Sequence, residues 1–199
     1  MKNNERKQEL LKIVYNMFLS KGYDNTSIDD IIKEAKIAKG TYYYYFESKE
    51  STLEEVINMM INEEVAIAKE VLNMPISIPE KIVGIITSLR PKIDEKEIQN
   101  TLNRKENLIM HEKINNRIVE EAIPLLEQVV KEGVESKIFN CNHIKERLKM
   151  IIIMSNELFD SEKFDLNEVE VFIDTAEKIL GAKEGTLEFI KMLIGGKNE

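Results

Sequence analysis

Eight consecutive residues, Lys39-Gly40-Thr41-Tyr42-Tyr43-Tyr44-Tyr45-Phe46, bring an ammonium, a position without a side chain and a run of aromatic rings into one short stretch. At helical spacing Tyr42 and Phe46 stand one turn apart and can point inward. Lys39 with Tyr43, and Gly40 with Tyr44, then stack on faces about 100° away. Lysine supplies charge, glycine lets a main chain approach closely, and tyrosine donates a hydrogen bond while laying its ring on a sugar or a thymine methyl. A surface that meets a phosphate backbone and base edges needs those groups.

Such a face has to be held by helices. Apolar residues recur at three and four positions rather than two, and only 8 Gly and 4 Pro interrupt them, so the chain reads as all-α. A first helix is predicted over 4–20, with Leu10, Ile13, Val14, Met17 and Phe18 as its buried stripe and Gly22 beyond its end. Thr26 or Ser27 can cap a short second helix, Ile28–Ala35, since Asp29 and Asp30 suit its positive end. A turn, Lys36-Ile37-Ala38, leads to the helix 39–46. Ser48 then caps a long helix to Leu72, ended by Pro75 and Pro79. Further helices are predicted over 79–89, 95–111, 114–136 with a kink at Pro124, 143–159, 166–180 and 186–194, about nine or ten in all. Two domains follow: a helix-turn-helix head over 1–47, its two short helices spanning about 27–46, and a helical body over 48–199, joined through the helix 48–72.

Composition sets bounds on partners and location. The net charge of -8 is uneven: residues 1–50 carry 9 Lys+Arg against 8 Asp+Glu, a net +1, which leaves 19 against 28, a net -9, for the rest. The acid belongs to the C-terminal part, so it does not oppose nucleic-acid binding by the head. Cys141 is the only cysteine, which excludes an intramolecular disulfide and fits a reducing cytoplasm. The opening residues lack the apolar block of a signal peptide, and no later stretch runs eighteen apolar residues without charge. A soluble protein without a membrane association is expected.

The run Thr26-Ser27-Ile28 through Ile37-Ala38-Lys39-Gly40-Thr41-Tyr42-Tyr43-Tyr44-Tyr45-Phe46, followed by Ser48-Lys49-Glu50 and Leu53, resembles the DNA-binding head of the TetR family of repressors over about residues 6–57. The resemblance implies that Lys39, Gly40, Thr41, Tyr43, Tyr44 and Tyr45 face DNA, and that Thr26 or Ser27, with Lys49, touches phosphate at the starts of their helices. It also implies a homodimeric repressor that holds a palindromic operator and is released by a small molecule. Lys36 stands where the family usually has a turn glycine, Ala38 where a capping serine is usual, and Tyr45 where histidine is common.

In the body the same family arrangement implies a ligand chamber and a four-helix dimer interface. Met150-Ile151-Ile152-Ile153-Met154 is apolar around most of its helix, and Leu166, Val169, Phe172, Ile173, Ala176 and Ile179 form a stripe on the next, so helices 143–159 and 166–180 are the candidates for self-pairing. Met110, Met150 and Met154 could line a ligand site, with Asn107, His111 and Asn156 orienting polar groups. No cofactor or metal is expected. A catalytic or metal-responsive alternative would have to use His111, Cys141 and His143, although Cys141-Asn142-His143 is too short for a metal motif and no nucleophile elbow, phosphate loop or paired zinc histidines occur. A helical dimeric adaptor or sensor without DNA binding is the other alternative.

Overall fold

A computed structural model describes residues 2–89, 96–159 and 165–191. Among these it contains only helices: α1 Lys2–Lys21, α2 Ile28–Ala35, α3 Lys39–Tyr45, α4 Lys49–Leu72, α5 Ile78–Ser88, α6 Lys96–Leu102, α7 Leu108–Glu135, α8 Ile144–Phe159 and α9 Leu166–Leu180, with a 3-10 turn over Lys105–Asn107. No helix of the described residues is long and apolar enough to cross a membrane.

The chain divides into two compact units. The first comprises 1–64 and 90–117, the second 65–89 and 118–199, so the divisions fall inside α4 and α7. The first unit is therefore larger than a head ending at residue 47. It takes in the start of α4 and, because α6 packs on α1, the segment around Ile98 and Leu102, both buried.

Within the first unit α1 buries Leu10, Leu11, Val14, Met17 and Phe18, while Ile13 is half-buried. Gly22, at φ +81°, ends the helix and donates its N–H to Phe18 O at 3.0 Å. α2 begins at a capping box: Ser27 Oγ accepts from Asp30 N while the Asp30 carboxylate accepts from Ser27 N. It ends at Lys36, which takes the left-handed conformation (φ 53°, ψ 46°) that the turn requires, without being glycine. α3 starts at Ala38 with no side-chain cap.

The second unit is built from the later part of α4, α5, the later part of α7, α8 and α9. Ile85, Val129, Val130, Phe139, Leu148, Val169, Ile173 and Ala176 are among its buried side chains. Two glycines are dictated by packing: a Cβ on Gly133 would overlap the Phe139 ring, and one on Gly181, at φ +61°, would overlap the Asn140 carbonyl. Glu177, buried on α9, accepts from Gly185 N at 3.1 Å and Leu187 N at 2.7 Å, which fastens the chain after α9.

Two predicted helices take another form. The stretch predicted as one helix over 95–111 breaks after Leu102, where Asn107 N–H bonds Arg104 O and the Asn107 side chain donates to Thr101 O at 2.7 Å, a local alternative to the helical ladder. The stretch predicted as a helix over 186–194 is a series of i→i+3 turns, such as Thr186 N–H to Lys183 O, and is helical only at 190–191; the rest of it lies outside the described residues. α7 runs through Pro124.

Candidate nucleic-acid interface

The inward half of α3 is fixed by burial. Tyr42 is fully buried and Phe46 nearly so, their ring centroids 5.5 Å apart. The Tyr42 hydroxyl lies 2.6 Å from Thr52 Oγ1 on α4, and Thr52 in turn donates to Ser48 O at 2.8 Å. Burial raises the Tyr42 hydroxyl pKa, partly offset by the bond to Thr52. This anchor sets the rotation of a seven-residue helix that could not hold itself.

The outward half follows from that rotation. Lys39 and Gly40 are exposed, Tyr43 is 47% and Tyr44 69% exposed, and Thr41 and Tyr45 are half-buried. Tyr44 and Tyr45 meet edge to face at 5.0 Å. Lys39 Nζ lies 3.8 Å from Asp29 Oδ1, both strongly exposed, a spacing at which an ion pair contributes little. Gly40 stands apart from the glycines of the second unit: a Cβ there would meet nothing within 4 Å.

The turn before α2 separates the two candidates for a phosphate contact. Thr26 is fully buried, its Oγ1 donating to Gly22 O at 2.8 Å and its N–H to Tyr23 O at 3.2 Å, so it cannot serve as an outward contact. Ser27 is exposed, although its hydroxyl is held by Asp30 at 2.5 Å, a bond that also keeps the Asp30 carboxyl pKa low. Lys49 lies at the start of α4 with its Nζ 4.1 Å from the Tyr23 ring centroid and 3.4 Å from Asp24 O. Tyr23 is pushed up to about 12, by burial first and then by the charge and hydrogen bond of Glu50. Glu50 is held low by bonds at the start of α4, from its own backbone first and then from Ser48.

The residues proposed for a ligand site do not gather in one unit. Asn107, Met110 and His111 belong to the first, and the His111 ring meets Asn115 Nδ2 at 3.4 Å. Met150 and Met154 belong to the second; the side chain of Asn156 lies outside the described ones. Met154 lines a groove of about 360 Å³ with Leu158, Val171, Phe172 and Thr175. Met150 and Ile153 on α8, and Leu166 and Val171 on α9, remain exposed. The stripe on α9 is mostly covered within the chain, since Val169, Phe172, Ile173 and Ala176 are buried. Cys141 is half-buried, which raises its pKa, and His143 is exposed at φ +51°. Among the described residues no three His, Cys, Asp or Glu side chains could hold a metal ion together.

Residues 14–56 match the family model for bacterial regulatory proteins of the tetR family. An uncharacterized helix-turn-helix regulator of Bacillus subtilis, YuxN, is 41% identical over 54 residues, which is 27% of this chain and 19% of that protein. The transcriptional repressor KstR2 of Mycolicibacterium smegmatis is 30% identical over 94 residues, 47% of this chain and 46% of that one. The chain thus spans less than half the length of either relative. Across the whole fold it resembles RolR, solved with resorcinol, at a TM-score of 0.62 and 16% identity, covering 94% of this chain and 93% of that one. The head, residues 14–56, is thus similar in sequence to bacterial regulatory proteins of the tetR family, and the fold around it is shared with solved structures such as RolR.

Proposed function

We propose that the protein is a DNA-binding transcriptional regulator, a homodimeric repressor that holds a palindromic operator through α3 and is released by a small molecule, without catalysis of its own. The observation that carries the reading is Gly40. Glycine costs up to about 1 kcal/mol against alanine in a helix interior, Gly40 stands in the first turn of α3, and neither the backbone angles nor the packing of this chain asks for it. Close approach of a phosphate backbone to the start of α3, beside Lys39 and Tyr43, does. KstR2 is named as a repressor, which supports the sign of regulation.

The dimer is supported by the exposed apolar residues Met150 and Ile153 on α8 and Val171 on α9, a surface that a second copy can cover. Two heads would then enter successive major grooves about 34–36 Å apart. RolR, of the same fold, holds resorcinol, which supports an effector of small, largely apolar type. Release would follow if that effector favoured a conformation with the heads at another spacing, and operator would then weaken effector binding by the same factor.

Selection of duplexes from a random library by the purified protein tests the reading. The expected product is a palindrome bound with an affinity that falls steeply with salt, about 0.9 log units per log unit of salt for each phosphate neutralised. Lys39→Ala and Tyr43→Phe should weaken it without lowering the melting temperature. Failure to retain any duplex at low salt, by a protein that is folded and dimeric, would leave the adaptor reading in its place.

A further inference from the structure

We infer that Arg104, outside the helix-turn-helix, is a positioning residue for DNA binding: its ion pair with Asp24 keeps the α1–α2 turn in place and leaves Lys49 available to phosphate. The inference rests on the DNA-binding reading above. Arg104 stands at the break between α6 and α7, eighty positions along the chain from Asp24, and its Nη1 lies 2.5 Å from Asp24 Oδ2. Asp24 belongs to the turn that ends at Ser27, the cap of α2. The same residue's carbonyl accepts from Lys49 Nζ, which also rests on the Tyr23 ring.

Charge competition gives the pair its effect. Without Arg104 the Asp24 carboxylate is left without that partner, and the Lys49 ammonium already sits at its carbonyl. A carboxylate that takes Lys49 withdraws a cation from the DNA-facing side and adds its own negative charge beside Ser27, where Asp29 and Asp30 already contribute two. Both changes oppose an approaching phosphate. Arg104 suits the task because a guanidinium binds a carboxylate directionally. The pair is half-exposed, so its removal should barely move the melting temperature.

A double-mutant cycle read by operator binding tests this, with the duplex selected by the wild-type protein as probe. R104A should weaken binding about fivefold for each head, hence up to about twenty-five-fold for a dimer, which corresponds to the upper end for an exposed ion pair. The log-log salt slope should fall by up to about 0.9 per head, because a Lys49 drawn to the Asp24 carboxylate no longer neutralises a phosphate. In a D24A background R104A should cost nothing further. An equal loss in the wild-type and D24A backgrounds would overturn the inference in favour of direct phosphate contact by Arg104. Unchanged affinity in R104A would overturn it outright, and either result leaves the DNA-binding reading intact. Absence of salt-dependent duplex binding in the wild-type protein would instead reject that reading, and this inference with it.

Discussion

The glycines of the two units make opposite demands. In the second unit Gly133 and Gly181 are required by the chain itself, since a side chain would collide with Phe139 or with the Asn140 carbonyl. In the first, Gly40 has open space around it and an ordinary helical conformation. A residue explained by its own fold says nothing about partners; one that the fold leaves unexplained points outward. The same contrast runs through the aromatic residues, with Tyr42 buried as an anchor and Tyr43 and Tyr44, next to it in sequence, left to solvent.

The largest expected effect breaks that anchor. Tyr42→Ala should destabilise the first unit by about 3 kcal/mol, as truncation of a buried aromatic does, and should also leave Thr52 without its hydroxyl partner. Urea unfolding followed by helical circular dichroism measures it. A variant as stable as wild type would mean that α3 is turned the other way and that its exposed face is not the one described.

Gly181→Ala comes next and concerns the second unit alone. The left-handed backbone and the clash with Asn140 O together should cost about 1–3 kcal/mol, with operator affinity unchanged so long as the protein remains folded. Gly40→Ala should do the reverse. It should raise stability by up to about 1 kcal/mol through helix propensity while weakening operator binding, because the methyl group stands where the phosphate backbone approaches. Thermal melts and binding isotherms on the same two variants settle whether the contrast between the units holds; a Gly40→Ala protein that binds with full affinity would remove the observation on which the functional reading rests.

Local chemistry was legible in the sequence, and long-range chemistry was not. The bounds of α2 and α9 agree with their predicted spans because each starts at a Ser or Asp cap with an acid three residues on and ends at a residue in the left-handed region. Tyr42 and Phe46 were readable as inward by spacing alone. Thr26 was not separable from Ser27, since both are capping residues and only the bond from Thr26 Oγ1 to Gly22 O turns one of them inside. The break after Leu102 was hidden for a similar reason. Lys105, Glu106 and Asn107 carry no breaker, and what ends the helix is an Asn side chain that takes a backbone carbonyl, beside an Arg whose partner lies eighty positions away. A ligand site was not legible in the sequence, because a methionine pattern marks apolar surface without saying which surface faces which.

The smallest effect sharpens the comparison at the backbone. Lys36 and Lys137 both take left-handed conformations, one ending α2 in the first unit, the other following α7 in the second. Replacing either by glycine should relieve about 1 kcal/mol of steric cost. Against that gain, glycine gives the unfolded chain more freedom, about 0.4–1 kcal/mol, and each change removes a cation from a helix C-terminus, about 0.3–1 kcal/mol where the site is exposed. The sum runs from about 0.3 kcal/mol more stable to about 1 kcal/mol less stable, so neither variant should be markedly stabilised. Their effects on DNA should still differ. Lys36 immediately precedes the turn into α3 and is exposed, so Lys36→Gly should reduce affinity modestly by removing charge near the interface, while Lys137→Gly should not. If Lys36→Gly were instead stabilising by more than about 1 kcal/mol with operator affinity intact, the lysine would be a strained residue that DNA binding does not use, and the left-handed positions of the two units would have to be explained separately.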